Sequence, residues 1–286
     1  MAYSNFQPTI FAEKINRELE RYLVFAEDCN RKYEGQVSSQ GERVKILGVG
    51  KPTITTVTKA NRNNDIGAAE TIEDTSSFLD IDQIRYYHYK VGDIDKQFSV
   101  GGFEEAIQKE TAQAMANAID SYIAKLTQLD DAIKHQSSSV IPLVSQTTSA
   151  GILRQIDDAV ATLWGNDVPQ NEELTLTMTP RAFMILKQAY TEVDTNNSEM
   201  LKNGYVGKYG TVRIKVSNNV ATLSDAGATD FCLLRTKNAI AYVHPLTVAE
   251  AYRPDLSFSD ALKGFSLFGA KIVRPKELIV LNWKYA

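Results

Sequence analysis

From Phe103 to Leu129 the chain contains neither Gly nor Pro, and its apolar residues recur at helical spacing. Phe103, Ile107, Thr111, Ala114, Met115, Ala118, Ile119, Tyr122, Ile123, Leu126 and Leu129 fall on one side; Glu104, Glu105, Gln108, Lys109, Gln113, Asn117, Asp120, Ser121 and Lys125 fall on the other. This is the pattern of one long amphipathic helix. Gly101 and Gly102 precede it, and the two glutamates sit in the first turn, where acids suit the helix dipole. At 1.5 Å per residue the helix is about 40 Å long. A helix of that length with one apolar side needs a broad sheet or a second domain to lie on.

Composition sets the outer bounds. The chain has 286 residues, 43% hydrophobic and 23% charged, which suits a sizeable core in one or two domains. The net charge of −4 provides no basic field for gripping nucleic acid. Cys29 and Cys232 lie far apart and match no metal or redox spacing; two free structural thiols fit a reducing compartment. Met1 to Phe11 lacks the basic and apolar blocks of a signal peptide, and no apolar run approaches the ~20 residues of a membrane span. The expectation is a cytoplasmic product.

Taken in order, a short polar arm leads into a modest amphipathic helix carrying Ile10, Phe11, Ile15, Leu19, Tyr22, Leu23, Phe25 and Ala26, ended by Gly35. Residues 36–95 turn to Thr, Val, Ile and Tyr. Arg43–Leu47 and Thr53–Thr58 read as strands, with Gly48, Gly50 and Pro52 between them. Lys59 to Gly67 is a polar, turn-rich tip, and a return leg runs from Phe78 to Val91. Such a two-legged excursion has little to bury, and an isolated ribbon is marginal in water. It makes physical sense lying across a partner, or as extra strands of the chain's own sheet. After the helix, Ser/Thr-rich runs at 136–139 and 145–149 flank a short Val140–Val144 strand and mark the best boundary. Residues 149–245 read as α/β: a helix around Ile152–Leu163, a strand at Leu174–Met178, and a helix from Arg181 to Tyr190 opened by Thr179-Pro180. An Asn- and Gly-rich loop follows, then a strand at Val212–Val216 and a strand pair or hairpin at Phe231–Leu234 and Ala239–Val243. Thr247–Tyr252, Phe265–Val273 and Glu277–Trp283 close the chain as strands.

No catalytic constellation is present in the sequence. His88, His135 and His244 have no second ligand at zinc spacing. Gly48-Val49-Gly50-Lys51 resembles a phosphate loop only faintly, since Lys45 stands where Gly is needed and Pro52 replaces Ser or Thr. Asp80/Asp82 and Asp93/Asp95 lack the Gly-centred loop and closing Glu of an EF-hand and read as solvated faces. Lys202, Lys208, Arg213 and Lys215 are local positive charge without the balance of a DNA-binding module. No cofactor and no metal is expected.

The order of segments resembles the HK97-like fold of tailed-phage major capsid proteins. Leu79-Asp80-Ile81-Asp82-Gln83 running into Tyr86-Tyr87-His88-Tyr89 and Val91-Gly92-Asp93-Ile94-Asp95 looks like the return leg of an extended E-loop entering a spine helix. Asn203-Gly204-Tyr205-Val206-Gly207 before the 212–216 strand looks like an axial domain. Leu267 to Pro275 before Glu277–Leu281 looks like a peripheral-domain strand returning to the axial domain. The resemblance implies an α+β chain with an N-terminal arm and helix (1–35), an E-loop β arm (36–95), a peripheral domain with the spine helix (96–148), an axial domain (149–245), peripheral return strands (246–275) and a final strand back in the axial domain (276–286).

It also implies a role: a structural subunit, not an enzyme. It would pair with itself as pentamers and hexamers, closing an icosahedral virion shell around double-stranded DNA, assembled in the bacterial host cytoplasm with no membrane involved. Only about thirty-five residues precede the arm (36–95), as in relatives that use a separate scaffolding protein, or none. A portal and a decoration protein are the other implied partners. The arm tip, Asn61, Arg62, Asn63, Asn64 and Asp65, is the candidate subunit contact. A mildly acidic wall holds packed DNA without adhering to it, because phosphate contacts need Lys and Arg. Two other readings stand beside this one. The first is an encapsulin-like compartment shell; the second is an α/β enzyme, which would need a deep pocket with converging titratable groups within 149–245. In the shell reading, the apolar side of the long helix lies on Phe265–Val273.

Overall fold

The computed structural model describes residues 15, 18–19, 22–34, 43–49, 53–54, 56, 74–92, 103–129, 134–135, 139–141, 147–192, 207–223, 229–255 and 258–285. In chain order the elements are β1 (Arg43–Val49), β2 (Asp74–Asp80), β3 (Gln83–Gly92), α1 (Phe103–Leu129), β4 (Lys134–His135), β5 (Ser139–Ile141), α2 (Thr147–Gly165), β6 (Leu174–Met178), α3 (Pro180–Glu192), β7 (Lys208–Tyr209), β8 (Val212–Val216), β9 (Thr222–Leu223), β10 (Thr229–Thr236), β11 (Ile240–Tyr252), β12 (Ser259–Ile272) and β13 (Leu278–Tyr285). The chain is α+β, with three sheets among the described residues.

The largest sheet runs β4-β13-β10-β6-β8-β7, with β5 also on β13 and β9 on β10. Strand alternation gives it two different faces. Leu174, Leu176 and Met178 of β6, Val212 and Ile214 of β8, Cys232 and Leu234 of β10, and Ile279, Leu281 and Trp283 of β13 bury one face under α2 and α3. Trp283 donates its indole N–H to Gln155 of α2 at 2.6 Å, so the largest side chain of that core keeps its polar atom satisfied. Thr179 opens α3 as the sequence predicts: its hydroxyl accepts the Ala182 N–H and donates to Asp230 at 2.6 Å, with Pro180 in the first turn.

The second face is apolar only at one end. Leu233, Leu278 and Val280 share a core with α1, with the N-terminal residues Ile15, Leu19, Leu23 and Phe25, and with Tyr242, Phe268 and Ala270 of the other sheet. That other sheet has the order β11-β12-β3, all antiparallel. α1 therefore lies over both sheets. Tyr122 meets Phe268 edge to face at 5.6 Å, which puts the helix on the closing strands, as the sequence predicts.

Four expectations are corrected. The strands at 231–234 and 239–243 are not a hairpin: both edges of β10 are occupied, by β13 and β6, and the turn at Lys237–Asn238 sends the chain into β11 of the other sheet. The return leg is not one strand. It breaks at Ile81-Asp82, so that β2 pairs with β1 while β3 joins β12. Thr53, Ile54 and Thr56 lie in no strand, and Ile54 is 90% exposed; Pro52 cannot donate to a ladder there. The N-terminal helix, present at Ile15, Glu18, Leu19 and Tyr22, stops at Leu23 rather than at Gly35.

The reason for that early stop lies on α1. Its buried stripe is turned by about one residue from the sequence reading: Ala114 is exposed, while Gln108 and Asp120 are buried. Asp120, assigned to the wet side, accepts the backbone N–H groups of Val24, Phe25 and Ala26 at 2.8, 3.1 and 3.2 Å. Those donors would otherwise continue the N-terminal helix.

Ile119 is fully buried in the core that joins both sheets. Replacing it with Asp leaves an unpaired charge there and is expected to abolish soluble, cooperatively melting subunit, read by circular dichroism. Normal yield and an unchanged melt would overturn the core assignment.

Candidate assembly surfaces

The predicted contact residues Asn61, Arg62, Asn63, Asn64 and Asp65 lie outside the described residues, as do Asp93 and Asp95. What the structure describes is the root of that excursion. β1 and β2 pair antiparallel from Arg43↔Asp80 to Val49↔Asp74 as a separate two-stranded ribbon. Val44, Ile46, Leu79 and Ile81 bury against Ala241 and Val243 of β11 in a core of their own. Arg43 pairs with Asp80 at 2.6 Å, and the Lys271 ammonium donates to the Phe78 carbonyl at 2.7 Å. Gly269 permits this crossing, because a Cβ there would overlap the carbonyl oxygen of Asp80.

A second fixture is the strap from Leu23 to Lys32. Its 3-10 turn, Ala26–Asp28, is held on α1 by Asp120. Arg235, fully buried on β10, donates to the Phe25 carbonyl at 2.6 Å and to the Cys29 sulfur at 3.1 Å. Asn30 bridges to β11, its N–H to the Ile240 carbonyl and its carbonyl to the Tyr242 N–H. On β8, the Lys215 ammonium meets Glu27 at 2.5 Å and Asp28 at 2.7 Å. The strap thus touches the long helix and both large sheets.

Burial pushes the Asp120 carboxyl up to about 6, against the lowering effect of the three N–H donors and of Arg235. Glu27 is held below its usual value, chiefly by the hydrogen bond from Lys215. Both cysteines are buried and free, and burial raises both thiols away from reactivity, Arg235 partly opposing this at Cys29. Ala112, Ala116, Asp120 and Ala124 form a row four residues apart, all buried. That row of small residues is the sequence signal for a close approach on this side of α1, and it marks Asp120 as part of the buried stripe.

An open groove of about 650 Å³ lies between Tyr89–Gly92 of β3 and Ala106–Thr111 of α1, outside 149–245, with Glu110 and Lys90 as its charged residues. Among the described residues no group of three or more His, Cys, Asp or Glu could hold a metal ion, and no helix is long and apolar enough to cross a membrane.

No family model and no curated protein sequence matches the chain. Solved structures do. One from Mycobacterium phage Che8 is 29% identical and matches 91% of this chain and 90% of its own, with a TM-score of 0.75. The capsid of cyanophage P-SCSP1u is 14% identical over 87% of this chain and 85% of its own, with a TM-score of 0.67. A virus-like particle from Pyrococcus furiosus is 11% identical over 96% and 98%, with a TM-score of 0.59. This chain has the HK97-like fold of tailed-phage major capsid proteins.

For a capsid chain the informative surfaces are the apolar ones left outside. Tyr86 is 78% exposed and Ile84 54%, on the side of the three-stranded sheet away from α1. Phe265 stands opposite Tyr86, and Val248 opposite Phe265, so these side chains form one row across three strands. Of the two readings left open for the return leg, its second half follows the one that makes it an extra strand of the chain's own sheet.

Two tests address the fixtures. Because the folded-state carboxyl of Asp120 lies above its unfolded value, its contribution to stability is full below about pH 4 and lost as pH rises through about 6. Relative to Asp120→Asn, the wild type is expected to lose ~3 kcal/mol across that window in urea titrations; the opposite slope would show that the three N–H donors and Arg235 outweigh burial. Gly269→Val is expected to push β2 off β12, speeding amide exchange at Ser77–Asp80 at least ~10-fold while Leu174–Met178 is unchanged. Unchanged exchange at the ribbon root would refute the close-approach role.

Proposed function

We propose that this chain is the major capsid protein of a tailed phage, closing with its own copies into an icosahedral shell around double-stranded DNA. The observation that carries this reading is the match to the phage Che8 structure across nine-tenths of both chains. A subunit whose job is to tile a closed surface needs large contact faces and no chemistry. In this reading α1 is the spine helix. The β1–β2 ribbon is the root of the E-loop, whose tip at Asn61–Asp65 lies across a neighbour. The α2/α3-covered sheet is the core of the axial domain, approximately 149–245 with the final strand returning to it, and β3, β12 and the spine helix belong to the peripheral domain. A separate scaffolding protein, a portal and a decoration protein are the partners such a shell calls on, and assembly takes place in the bacterial cytoplasm.

A second reading, an encapsulin-like compartment, draws on the virus-like particle from Pyrococcus furiosus, which shares the fold at 11% identity. The genes beside this one separate the two: packaging machinery and a portal favour the phage shell, a cargo enzyme the compartment.

Co-expression with neighbouring phage genes and electron microscopy of the product test the main reading, closed shells being the expected result. Deleting Asn61 to Gly67 is expected to leave the subunit's melt unchanged and to cut shell yield ~10-fold or more, because the tip then contributes only between subunits. If the deletion unfolds the isolated subunit, the tip belongs to its own core.

A further inference from the structure

β3 is an outer strand. Among the described residues it pairs with β12 alone, along its whole length from Gln83 to Gly92. Its first nine residues contain neither Pro nor Gly, so each has a backbone N–H and no residue among them is barred from a ladder. The exposed positions before and along it follow an ordered sequence of chemistry. Asp82 comes first, then Ile84 and Tyr86, then His88 and Lys90, all exposed. Lys263 of β12 stands opposite His88 but is paired with Glu250 of β11 at 2.9 Å, so the charge this end presents is that of Lys90.

An edge with acid at one end, apolar side chains in the middle and base at the other is complementary to itself when reversed. Placed antiparallel about a two-fold axis at Tyr86, each Asp82 faces the second copy's Lys90, each Ile84 faces His88, and the two Tyr86 side chains meet. On the α1 side the same register sets Arg85 against Tyr87. No like charges oppose one another in it.

We propose that β3 pairs antiparallel with β3 of a second copy of this chain, joining two three-stranded sheets into one of six strands across a two-fold axis. This goes beyond the shell reading by naming a specific contact between subunits, and it rests on that reading for its place in the particle. The described part of the ribbon is a poorer occupant of this edge: its exposed Arg43 and Asp80 already neutralise one another, and it carries no reversed run of charge.

Tyr86→Cys tests the axis directly. Residues facing each other in an antiparallel pair have Cα atoms about 4.5–5.5 Å apart, within disulfide range. The native thiols, Cys29 and Cys232, are buried and so stay silent. Mild oxidation of the Tyr86→Cys variant is expected to give a disulfide-linked dimer on non-reducing gels. Asp82→Cys mixed with Lys90→Cys is expected to crosslink ~10-fold more than either variant alone, since only the mixture places the two thiols opposite one another. Asp82→Lys and Lys90→Asp are each expected to lower particle yield several-fold and together to restore it to within ~2-fold, because each single change opposes like charges.

The crosslinks are read both in particles and in concentrated unassembled subunit. Absent particles then count against the shell reading, whereas no disulfide-linked dimer of the Tyr86→Cys variant in either preparation overturns the β3 pairing. So does a photo-crosslinker at position 86 that captures the β1–β2 ribbon or a different protein.

Discussion

Asp120 is the constraint from which the arrangement of the subunit follows. A carboxylate placed at the centre of a helix stripe, fully buried, is costly unless donors meet it. Three consecutive backbone N–H groups and the nearby Arg235 do so, and they can only do so if the chain at Val24–Ala26 leaves the helical path. That departure ends the N-terminal helix, starts the 3-10 turn, and aims Glu27 and Asp28 at Lys215 on one sheet and Asn30 at Ile240 and Tyr242 on the other. One buried charge thereby fixes where a strap runs and which two sheets it ties together.

The strap also answers a problem set by strand alternation. The large sheet has one uniformly apolar face, which two amphipathic helices cover. The other face changes character across its width. Leu278, Val280 and Leu233 suit α1, but Arg235, Thr175, Thr177, Arg213 and Lys215 follow on the neighbouring strands. A helix as apolar as α1 could not cover that half without stranding cations. The acidic turn of the strap covers part of it, with Arg235 capped by a carbonyl and Lys215 by two carboxylates. The helix and strap divide the face according to its chemistry.

These features account for what the sequence made legible. Elements whose pattern is set by their own neighbours were readable: β6 and β8 fall on Leu174–Met178 and Val212–Val216, Thr179-Pro180 opens α3, and α1 runs from Phe103 to Leu129 as its uninterrupted stripe requires. The order of such segments carried the family resemblance. Failures came where a distant residue decided. Asp120 looked solvent-facing because its partners are backbone N–H groups nearly a hundred positions away, which no side-chain pattern records. β10 and β11 looked like a hairpin because nothing local shows that both edges of β10 are already taken. The break at Ile81-Asp82 was hidden because no Gly or Pro marks it; the overlap that pins β2 on β12 depends on Gly269, far along the chain.

The ribbon root shows how a subunit built for assembly can fold before it assembles. A two-stranded ribbon has too little apolar surface to stand alone. Here its first residues make a small core with Ala241 and Val243, separate from the two larger ones. One glycine, one lysine-to-carbonyl bond and one ion pair fix its direction of departure. These contacts set the angle at which the ribbon leaves the body of the subunit. Among the described residues the registered pairing runs as far as Val49↔Asp74, and Ile54 is almost wholly exposed. The three-stranded sheet has two unlike sides. The side toward α1 buries Leu262 and Phe268, and Tyr87 lies over Gly264; the outer side keeps Tyr86 and Ile84 in water. A monomer has no use for that exposure, and a shell subunit, which must fold alone and then join, does.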